Sequence, residues 1–391
     1  MIIGFPLSRG AQLKLGATVL KHINDRLGLS FGRSVLLLVM SALVGGVAAL
    51  TAVLLCYFLL NFGGSEEADK HGISTMPAAR IGGVLLVTYL LMNVVFQSSV
   101  LGLATVNGIT SLILLASLPF FLLGLYEDWR GNLGARFRFL SMLLMAGVIM
   151  WWFPVFVIQP TGVWLLDIVL FDYPMVAWLV SGFSLAFMPN AFNTADGANG
   201  LVSGISLVVA IALSRIAPSE LVPMLYSVAV ASVLFLLYNL GTGRFFLGDG
   251  GAFFLGALTS LCVIVAANAG VVSIWYLLSL IFYPAADLLF SMARRAYAGR
   301  SPFAADNEHL HNLIFAFLIR GAGDTKYLNT LTGLSVAFLF SGTVFAAAYF
   351  EMLVVRSSDW FFVFLFLCAL YSVAWMMLHR RVCAVGQMET V

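Results

Sequence analysis

Three polar side chains, Asn190, Asn193 and Asp196, recur at every third position of the segment PNAFNTADGANG. On a helix this spacing places them within an arc of about 120°, so they can line one pocket. The Asp-Gly pair and the Asn-Gly pair that contains Asn199 predict that the helix ends there. Amides and a carboxylate can read the donor and acceptor edges of a nucleobase or a sugar. The alternative is a polar kink that packs against other helices.

Asp249 is flanked by glycines in the segment RFFLGDGG, which opens with Arg244. Glycines on both sides allow a diphosphate and a metal ion to approach the backbone closely. The apolar run that begins here would also present a helix N-terminus, which favours an anion. A plain glycine-rich turn is the alternative interpretation.

Glu127 and Asp128 are adjacent acids at the end of an apolar run. They diverge by about 100° on a helix, so both reach one metal ion only if the helix frays. One acid could instead bind a metal while the other accepts a proton. A helix end that meets water would have the same sequence.

His309 and His311 precede an apolar pattern that predicts an amphipathic helix on the membrane surface. The two rings would splay by about 200° if both residues were helical, and they converge only if His309 lies in the preceding loop. A solvated polar face is the alternative, and zinc is not expected because this pair is a weak ligand set. Asp287, seven residues before Arg294, is interpreted mainly as a structural ion-pair partner or as a residue that supports a site residue from behind.

Lys70 and Arg80 lie in a mixed segment that contains Pro77 and ends at Gly82-Gly83. A loop with two cations and paired glycines can hold phosphate oxygens. An ordinary basic loop on the inner side of a membrane protein is the alternative.

The composition of the chain indicates which class of fold carries these residues. The 391-residue chain is 61% apolar and only 10% charged, which excludes an ordinary soluble protein. Recurrent long apolar runs predict an all-α, polytopic integral membrane protein. A net charge of +2 gives no indication of a nucleic-acid partner, and four scattered cysteines exclude a disulfide framework.

About eleven transmembrane helices are predicted. They fall at 35–62, 82–102, 107–126, 139–158, 176–191, 201–216, 221–240, 251–270, 272–293, 329–350 and 360–378. Residues 1–33 are interpreted as a basic, interfacial N-terminal segment, and 34–391 as a single multi-spanning domain.

Charge orients these spans. Thirteen of the twenty Lys and Arg residues lie on the side that carries the C-terminus and the loops 63–81, 127–138, 192–200, 241–250 and 294–328, whereas two lie on the other side. The positive-inside rule makes the first side cytoplasmic and the N-terminus periplasmic, although the N-terminal segment is itself basic. Most acids lie with the basic loops, so a cytoplasmic-face active site is expected.

Taken together, the motifs resemble those of the polyprenyl-phosphate N-acetylhexosamine-1-phosphate transferases (glycosyltransferase family 4), of the WecA type rather than the MraY type. The family pattern has a Pro-containing Gly-Gly loop, an Asp-Asp pair, an Asn-x-x-Asn-x-x-Asp-Gly stretch, a Gly-Asp-x-Gly turn and a His-rich loop. Counterparts occur here in this order over roughly residues 64–380, and the third and fourth are the most specific.

This resemblance implies that N-acetylhexosamine 1-phosphate passes from a UDP-sugar to undecaprenyl phosphate, which yields undecaprenyl-diphosphate-sugar and UMP. It implies Mg²⁺, or Mn²⁺ in its place, bound by Asp249 and Asp128. The catalytic residues it implies are Glu127, Asp128, Asp249, His309 and His311. The substrate-binding residues it implies are Lys70, Arg80, Asn190, Asn193, Asp196, Asn199, Arg244 and Arg300.

The resemblance also implies a bacterial inner-membrane enzyme that starts a cell-surface glycan such as O-antigen or capsule, in contact with membrane lipid and compatible with a homodimer. Three departures from the family pattern stand out: Glu127 replaces an aspartate, Asn312 replaces a third histidine, and the Lys70 loop matches loosely.

The main rival is a secondary transporter of a phosphorylated or anionic solute. It would predict midplane acids and an inverted repeat, and neither is visible. A transferase that uses CDP-activated lipids lacks its expected carboxylates.

Overall fold

A computed structural model describes residues 82–99, 108–159, 161–242, 246–304, 306–319 and 325–386. Every regular element within these ranges is helical, in agreement with the predicted all-α class. Several predictions fall outside the described residues: segment 1–33, span 35–62, and loop 63–81 with Lys70 and Arg80, as well as Arg244.

Fourteen α-helices follow one another in the described ranges. They are α1 (Gly82–Ser99), α2 (Ile109–Arg130), α3 (Ala135–Trp152), α4 (Trp164–Asp172), α5 (Pro174–Ala195), α6 (Leu201–Ser214), α7 (Val222–Thr242), α8 (Gly248–Asn268), α9 (Ile274–Leu280), α10 (Phe282–Tyr297), α11 (Leu310–Ile319), α12 (Thr325–Ala337), α13 (Thr343–Tyr349) and α14 (Trp360–Gly386). A π-helical turn, Phe338–Gly342, joins α12 to α13.

Six of these helical segments are long and apolar enough to cross a membrane, or seven if the bent pair α9–α10 is one span. They are α2, α3, α5, α8, the continuous stretch Tyr327–Tyr349, and α14 from Trp360 to Val382. Helices α1, α6 and α7 contribute shorter apolar stretches. The described part of the chain is therefore that of a polytopic membrane protein, and a helix or the bent pair lies at each predicted span from 82–102 onward. The short helix α4 falls where the sequence predicted only a loop.

Helix α8 forms the centre of the bundle. Every residue from Gly248 to Ala266 is buried, and α2, α5, α6 and α1 all pack against it. Small residues permit this crowding: a Cβ atom added at Gly256 would lie 2.6 Å from the Met188 carbonyl oxygen of α5. The first turn of α8 is thus held on several sides, which suits a segment that carries Asp249.

The predicted span 272–293 is broken at Ile281, where α9 and α10 meet at 76°. Pro284 explains the break, because a proline ring clashes with the carbonyl four residues earlier and has no N–H to donate to it. That carbonyl, on Leu280, instead accepts a hydrogen bond from the Ser341 hydroxyl at 2.8 Å. The break redirects α10 and so determines where Asp287 lies.

Loops meet at both ends of the bundle. At one end the Thr110 hydroxyl donates to the Glu220 carbonyl (2.9 Å), and the Ser273 N–H donates to the Val355 carbonyl (2.9 Å). At the other end lie the C-termini of α2, α5 and α10 and the N-termini of α3, α8 and α11. The described parts of all four predicted catalytic loops after 63–81 lie at this second end.

Candidate functional site

The carboxylate of Asp249 is the point where three chain segments meet. Its Oδ2 accepts a hydrogen bond from Arg138 Nη1 at 2.8 Å, and its Oδ1 accepts one from Asn193 Nδ2 at 2.9 Å. Arg138 lies in the first turns of α3 and Asn193 in the last turn of α5. Asp249 is only 8% exposed, so these contacts fix its orientation at the mouth of the bundle.

Asp128 holds the start of α8 through the backbone. Its Oδ1 accepts from the Asp249 N–H at 2.9 Å, and its Oδ2 accepts from the Gly250 N–H at 2.8 Å. These N–H groups have no partner within their own helix, so Asp128 caps α8 from the end of α2. The negative charge also lies at the positive end of the α8 dipole.

Glu127 has a different set of partners. Its Oε2 accepts from the Leu133 N–H at 2.8 Å, and its Oε1 lies 3.5 Å from Arg138 Nη1. The longer side chain of glutamate therefore spans the turn between α2 and α3 and stabilises it. The two adjacent acids do diverge, as the helical spacing predicts, because α2 continues to Arg130 without fraying.

Paired glycines allow the backbone to approach Asp249 closely. A Cβ added at Gly124 would lie 2.5 Å from the Asp249 carbonyl, and one added at Gly83 would lie 2.3 Å from Gly251 N. The N–H groups of Gly82 and Gly83 donate to the carbonyls of Phe246 and Leu247. The glycines of the first sequence motif therefore lie against the fourth motif, although the cations of the first motif lie outside the described residues.

The Asn-rich motif divides into two parts. Helix α5 ends at Ala195, as the Asp-Gly pair predicts, and Asp196 is its C-terminal cap residue. Asn193 reaches Asp249, whereas Asn190 donates to the Ala186 carbonyl (3.0 Å) and the Met142 sulfur (2.9 Å). Asn190 is thus tied to its own helix rather than to the acid.

Asn199 lies in the turn that leads into α6. Its N–H donates to Asn329 Oδ1 at 2.8 Å, while its own Oδ1 is buried and has no hydrogen-bond partner in the part of the chain that the structure describes. The Asn199 carbonyl also packs against Gly333 of α12, where an added Cβ would lie 2.2 Å away. This backbone is therefore positioned from α12, a helix remote in sequence.

His309 and His311 converge in the way that the sequence allowed. Helix α11 begins at Leu310, so His309 lies in the preceding loop. The two imidazole rings stack, with centroids 5.7 Å apart and planes 10° from parallel. His309 Nδ1 lies 2.7 Å from Asp287 Oδ2, and His311 Nδ1 lies 2.9 Å from the Tyr283 hydroxyl.

Asp287 anchors this pair, and its ion-pair partner is His309 rather than Arg294. Besides His309, it accepts hydrogen bonds from the Tyr371 hydroxyl at 2.7 Å and from the Leu310 N–H at 3.1 Å. Arg294 is one helical turn too far along α10 and pairs instead with Asp306 and Glu308. Asp287 is 1% exposed, so His309 satisfies a buried carboxylate.

The two histidines have opposite ionisation tendencies. Burial lowers the pKa of His309, but the charge of Asp287, its hydrogen bond and the charge of Asp306 outweigh burial and raise the pKa above its usual value. Burial lowers the pKa of His311 to about 4. These shifts favour the imidazolium form of His309 and the neutral form of His311.

The histidine pair adjoins the Asn-rich motif. A Cβ added at Gly197 would lie 2.7 Å from His311 Nε2, so the imidazole edge faces the backbone that follows Asp196. Arg136 adds a second link, since its Nη2 lies 3.4 Å from the Ser301 hydroxyl. Arg300, next to Ser301, is exposed beyond α10, and its N–H donates to the Arg295 carbonyl at 2.8 Å. The structure thus brings the second, third, fourth and fifth motifs together at one end of the bundle.

The donor set around Asp249 fits a hard cation. No group of three or more His, Cys, Asp or Glu side chains that could hold a metal ion occurs among the described residues. Mg²⁺ does not need such a group, because it usually binds one or two carboxylates and fills its other positions with water and substrate phosphate oxygens. The Asp249 carboxylate already attracts a cation, the Arg138 guanidinium. Both Asp128 oxygens accept backbone N–H groups, so Asp249 fits the ion better than Asp128 does.

No local pattern in the sequence singles out Arg138, Tyr283 or Tyr371. Arg138 is one of the thirteen Lys and Arg residues on the basic side, although a cation shortly after an acidic pair is a usable signal. The two tyrosines lie within apolar runs, and only the broken helix and the packing of α14 bring them to Asp287 and His311. No local pattern identifies such partners.

Comparison with known proteins agrees with this geometry. The profile of glycosyl transferase family 4 matches residues 110–267, which include Glu127, Asp128, Asn193 and Asp249. An undecaprenyl-phosphate alpha-N-acetylglucosaminyl 1-phosphate transferase of Thermotoga maritima is 29% identical over 270 residues, or 68% of this chain and 77% of that protein.

Two further relatives are similar over comparable lengths. A decaprenyl-phosphate N-acetylglucosaminephosphotransferase of Mycobacterium tuberculosis is 27% identical over 69% of this chain and 74% of its own. A probable undecaprenyl-phosphate N-acetylglucosaminyl 1-phosphate transferase of Bacillus subtilis is 25% identical over 72% and 76%. With its motifs gathered at one end of a helical membrane bundle, the chain is similar to the polyprenyl-phosphate N-acetylhexosamine-1-phosphate transferases of glycosyl transferase family 4.

Proposed function

We propose that this protein transfers N-acetylhexosamine 1-phosphate from a UDP-sugar to undecaprenyl phosphate and so begins the assembly of a cell-surface glycan. N-acetylglucosamine is the proposed sugar, because the relatives that match most of the chain carry it in their names. The observation that carries the proposal is the meeting of Arg138, Asn193 and Asp249 at the buried start of α8.

The location of this site suits the two substrates. The acceptor has a phosphate head group on a long isoprenoid tail, so its head group lies at the membrane interface while its tail stays in lipid. The donor is a water-soluble anion. A site at one end of a membrane-spanning bundle meets both, and we propose that this end is cytoplasmic, in an inner-membrane protein of eleven spans with a periplasmic N-terminus.

In the proposed reaction an acceptor phosphate oxygen forms a bond to the phosphorus that bears the sugar, and the bond from this phosphorus to UMP breaks. The second proton of a phosphate is largely lost near neutral pH, so the acceptor needs little help from a base. Bound Mg²⁺ would offset the charge of the phosphates and the UMP leaving group. Asp249 is proposed as the principal ligand of this ion and Asp128, whose oxygens also accept backbone N–H groups, as a further one, while Asn193 orients Asp249.

The remaining residues supply charge and contacts. The His309 imidazolium offers a fixed positive charge to a phosphate, and neutral His311 can donate or accept through Nε2. Asn190, Asp196 and Asn199 are proposed to contact the nucleotide or sugar. Lys70, Arg80, Arg244 and Arg300 are proposed to contact phosphates from the surrounding loops.

Release of UMP tests this function directly. The full chain, purified in detergent, is incubated with Mg²⁺ and UDP-N-acetylglucosamine with and without undecaprenyl phosphate. We expect UMP and a lipid-linked diphosphate sugar only when the lipid is present. A panel of other UDP-N-acetylhexosamines then identifies the sugar. Folded protein that releases no UMP with any donor would contradict the proposal, and uptake of a phosphorylated solute into proteoliposomes would favour a transporter.

The contacts of Glu127 predict that it stabilises the turn between α2 and α3 rather than acting as a base. Glu127→Gln keeps an oxygen for the Leu133 N–H, so we expect it to reduce transfer by less than about tenfold, whereas loss of a general base costs about 10²–10⁴-fold. Glu127→Asp is too short to reach both partners, but it should retain part of the activity. Initial rates of UMP release at saturating donor measure both effects, and complete loss in Glu127→Gln would assign the base role to this residue.

A further inference from the structure

Arg138 occupies a distinctive position beside Asp249. Its Nη1 donates to Asp249 Oδ2 at 2.8 Å and lies 3.5 Å from Glu127 Oε1. The guanidinium thus has a near acceptor and a second acceptor within reach. Its side chain is 22% exposed, so a small rotation does not require the bundle to open.

The present position leaves part of the guanidinium unsatisfied. Arg138 Nε is buried and has no hydrogen-bond partner in the described ranges. A buried guanidinium donor without an acceptor is unfavourable, so the present position of Arg138 does not satisfy every donor of the side chain. Glu127 offers an acceptor on the same side, and its other oxygen is fixed by Leu133.

A divalent cation and the Arg138 guanidinium compete for the Asp249 carboxylate. Each carboxylate oxygen has two lone pairs; Arg138 uses one on Oδ2 and Asn193 uses one on Oδ1. A divalent cation on either oxygen would lie close to the guanidinium, and the two positive charges repel each other. Metal binding at Asp249 therefore weakens the contact with Arg138 and favours its departure.

We propose that Arg138 is an exchangeable counter-ion: it neutralises Asp249 before the metal binds, and it moves to Glu127 and the substrate phosphates when the divalent cation takes its place. This inference rests on the proposed function, because it assumes that Asp249 binds the metal. The exchange also gives a structural reason for a glutamate at position 127, because its longer side chain brings a carboxylate within reach of Arg138. Arg138 thereby becomes a positioning residue that links metal binding to phosphate binding.

Binding of Mn²⁺, followed by the electron paramagnetic resonance signal of the free ion, tests the exchange without any turnover. The full chain in detergent is titrated without nucleotide. We expect Arg138→Gln to lower the apparent Kd for Mn²⁺ roughly tenfold, because a competing hydrogen bond to a charged group is removed. Arg136→Gln is the matched control, since it removes the same charge two residues away; we expect a change of less than about threefold, because exposed charges are screened.

Glu127→Gln provides a second variant that keeps Arg138 in place. With no anionic alternative the guanidinium should stay on Asp249, so the apparent Kd for Mn²⁺ should rise at least about threefold. In the Arg138→Gln background the same change should have little effect, because no guanidinium remains to be moved. Additive effects of the two substitutions, or an unchanged Kd in Glu127→Gln alone, would overturn the exchange.

Asp249→Asn separates this inference from the proposed function. If Mn²⁺ binding survives in that variant, the metal is not at Asp249, and both the metal assignment and the role of Arg138 fail. If binding depends on Asp249 but Arg138→Gln binds Mn²⁺ no more tightly than Arg136→Gln, only the role of Arg138 fails.

Discussion

Asp249→Asn is expected to reduce transfer by at least about a thousandfold while the protein still folds and inserts. The substitution removes the charge that would hold the divalent cation, and preorganised charge at the reacting phosphates is usually the largest single contribution to catalysis. Asparagine has nearly the same shape as aspartate, so its Oδ1 can still accept a hydrogen bond. UMP release by the purified variant, at matched protein concentration and saturating Mg²⁺, measures the loss.

The structure explains why this variant should remain folded. Asp128 binds the backbone N–H groups of residues 249 and 250, and a change of side chain does not remove them. The chain also offers a matched control at the opposite end of the bundle. There Asp167 accepts hydrogen bonds from Thr161 and Gly162 at the start of α4, so Asp167→Asn makes the same chemical change far from the site.

The control should retain near-normal turnover and lose only some stability. Comparable rates in Asp249→Asn and the wild type would remove Asp249 from the catalytic site. Equal losses in both aspartate variants would point to a general effect on folding rather than on chemistry.

Local features of the site followed well from the sequence. The end of α5 at Ala195 follows from the Asp196-Gly197 pair, and α8 begins among the glycines that flank Asp249. These are short-range effects, so a single sequence contains them. The convergence of His309 and His311 likewise followed from one local condition, the start of α11 at Leu310.

Features that depend on packing could not be predicted in the same way. Arg294 is the nearest cation after Asp287 along α10, but tertiary contacts supply His309 and Tyr371 as the partners of Asp287. The break at Ile281 has a local cause in Pro284, yet its angle of 76° depends on what α9 and α10 pack against. Sequence separation explains the difference, because no pattern within one helix specifies a partner on another.

Asp287→Asn is expected to have the largest effect on stability and a diagnostic dependence on pH. Asp287 and His309 are both buried, and loss of one member of a buried pair typically costs about 3 kcal/mol or more. Without the carboxylate, burial dominates and the pKa of His309 should fall below its usual value. Thermal unfolding in detergent, measured between pH 5.5 and pH 9, compares the variant with the wild type.

The direction of the pH effect follows from the raised pKa of His309 in the folded protein. A histidine of the unfolded chain binds its proton with a pKa of about 6.5. Below that value the ion pair contributes its full stability, and the contribution is lost as pH rises through the higher pKa of the folded state. The difference in stability between wild type and Asp287→Asn should therefore be greatest at low pH and should narrow at high pH.

Tyr371→Phe is the matched control, because it removes a different hydrogen bond from the same carboxylate. It should cost about 1 kcal/mol with little dependence on pH between 5.5 and 9, since His309 keeps its partner. If the difference in unfolding free energy between wild type and Asp287→Asn is constant across that pH range, His309 is neutral and Asp287 contributes through packing rather than through charge.

Asp287→Asn also tests whether the histidine pair takes part in transfer. If the His309 imidazolium stabilises a phosphate, Asp287→Asn should shift the alkaline limit of UMP release to lower pH, because the lowered pKa removes the positive charge sooner. Tyr371→Phe should leave that limit unchanged. A purely structural role for Asp287 would lower the rate uniformly at every pH, so the shape of the profile, rather than its height, decides whether charge on His309 takes part in transfer.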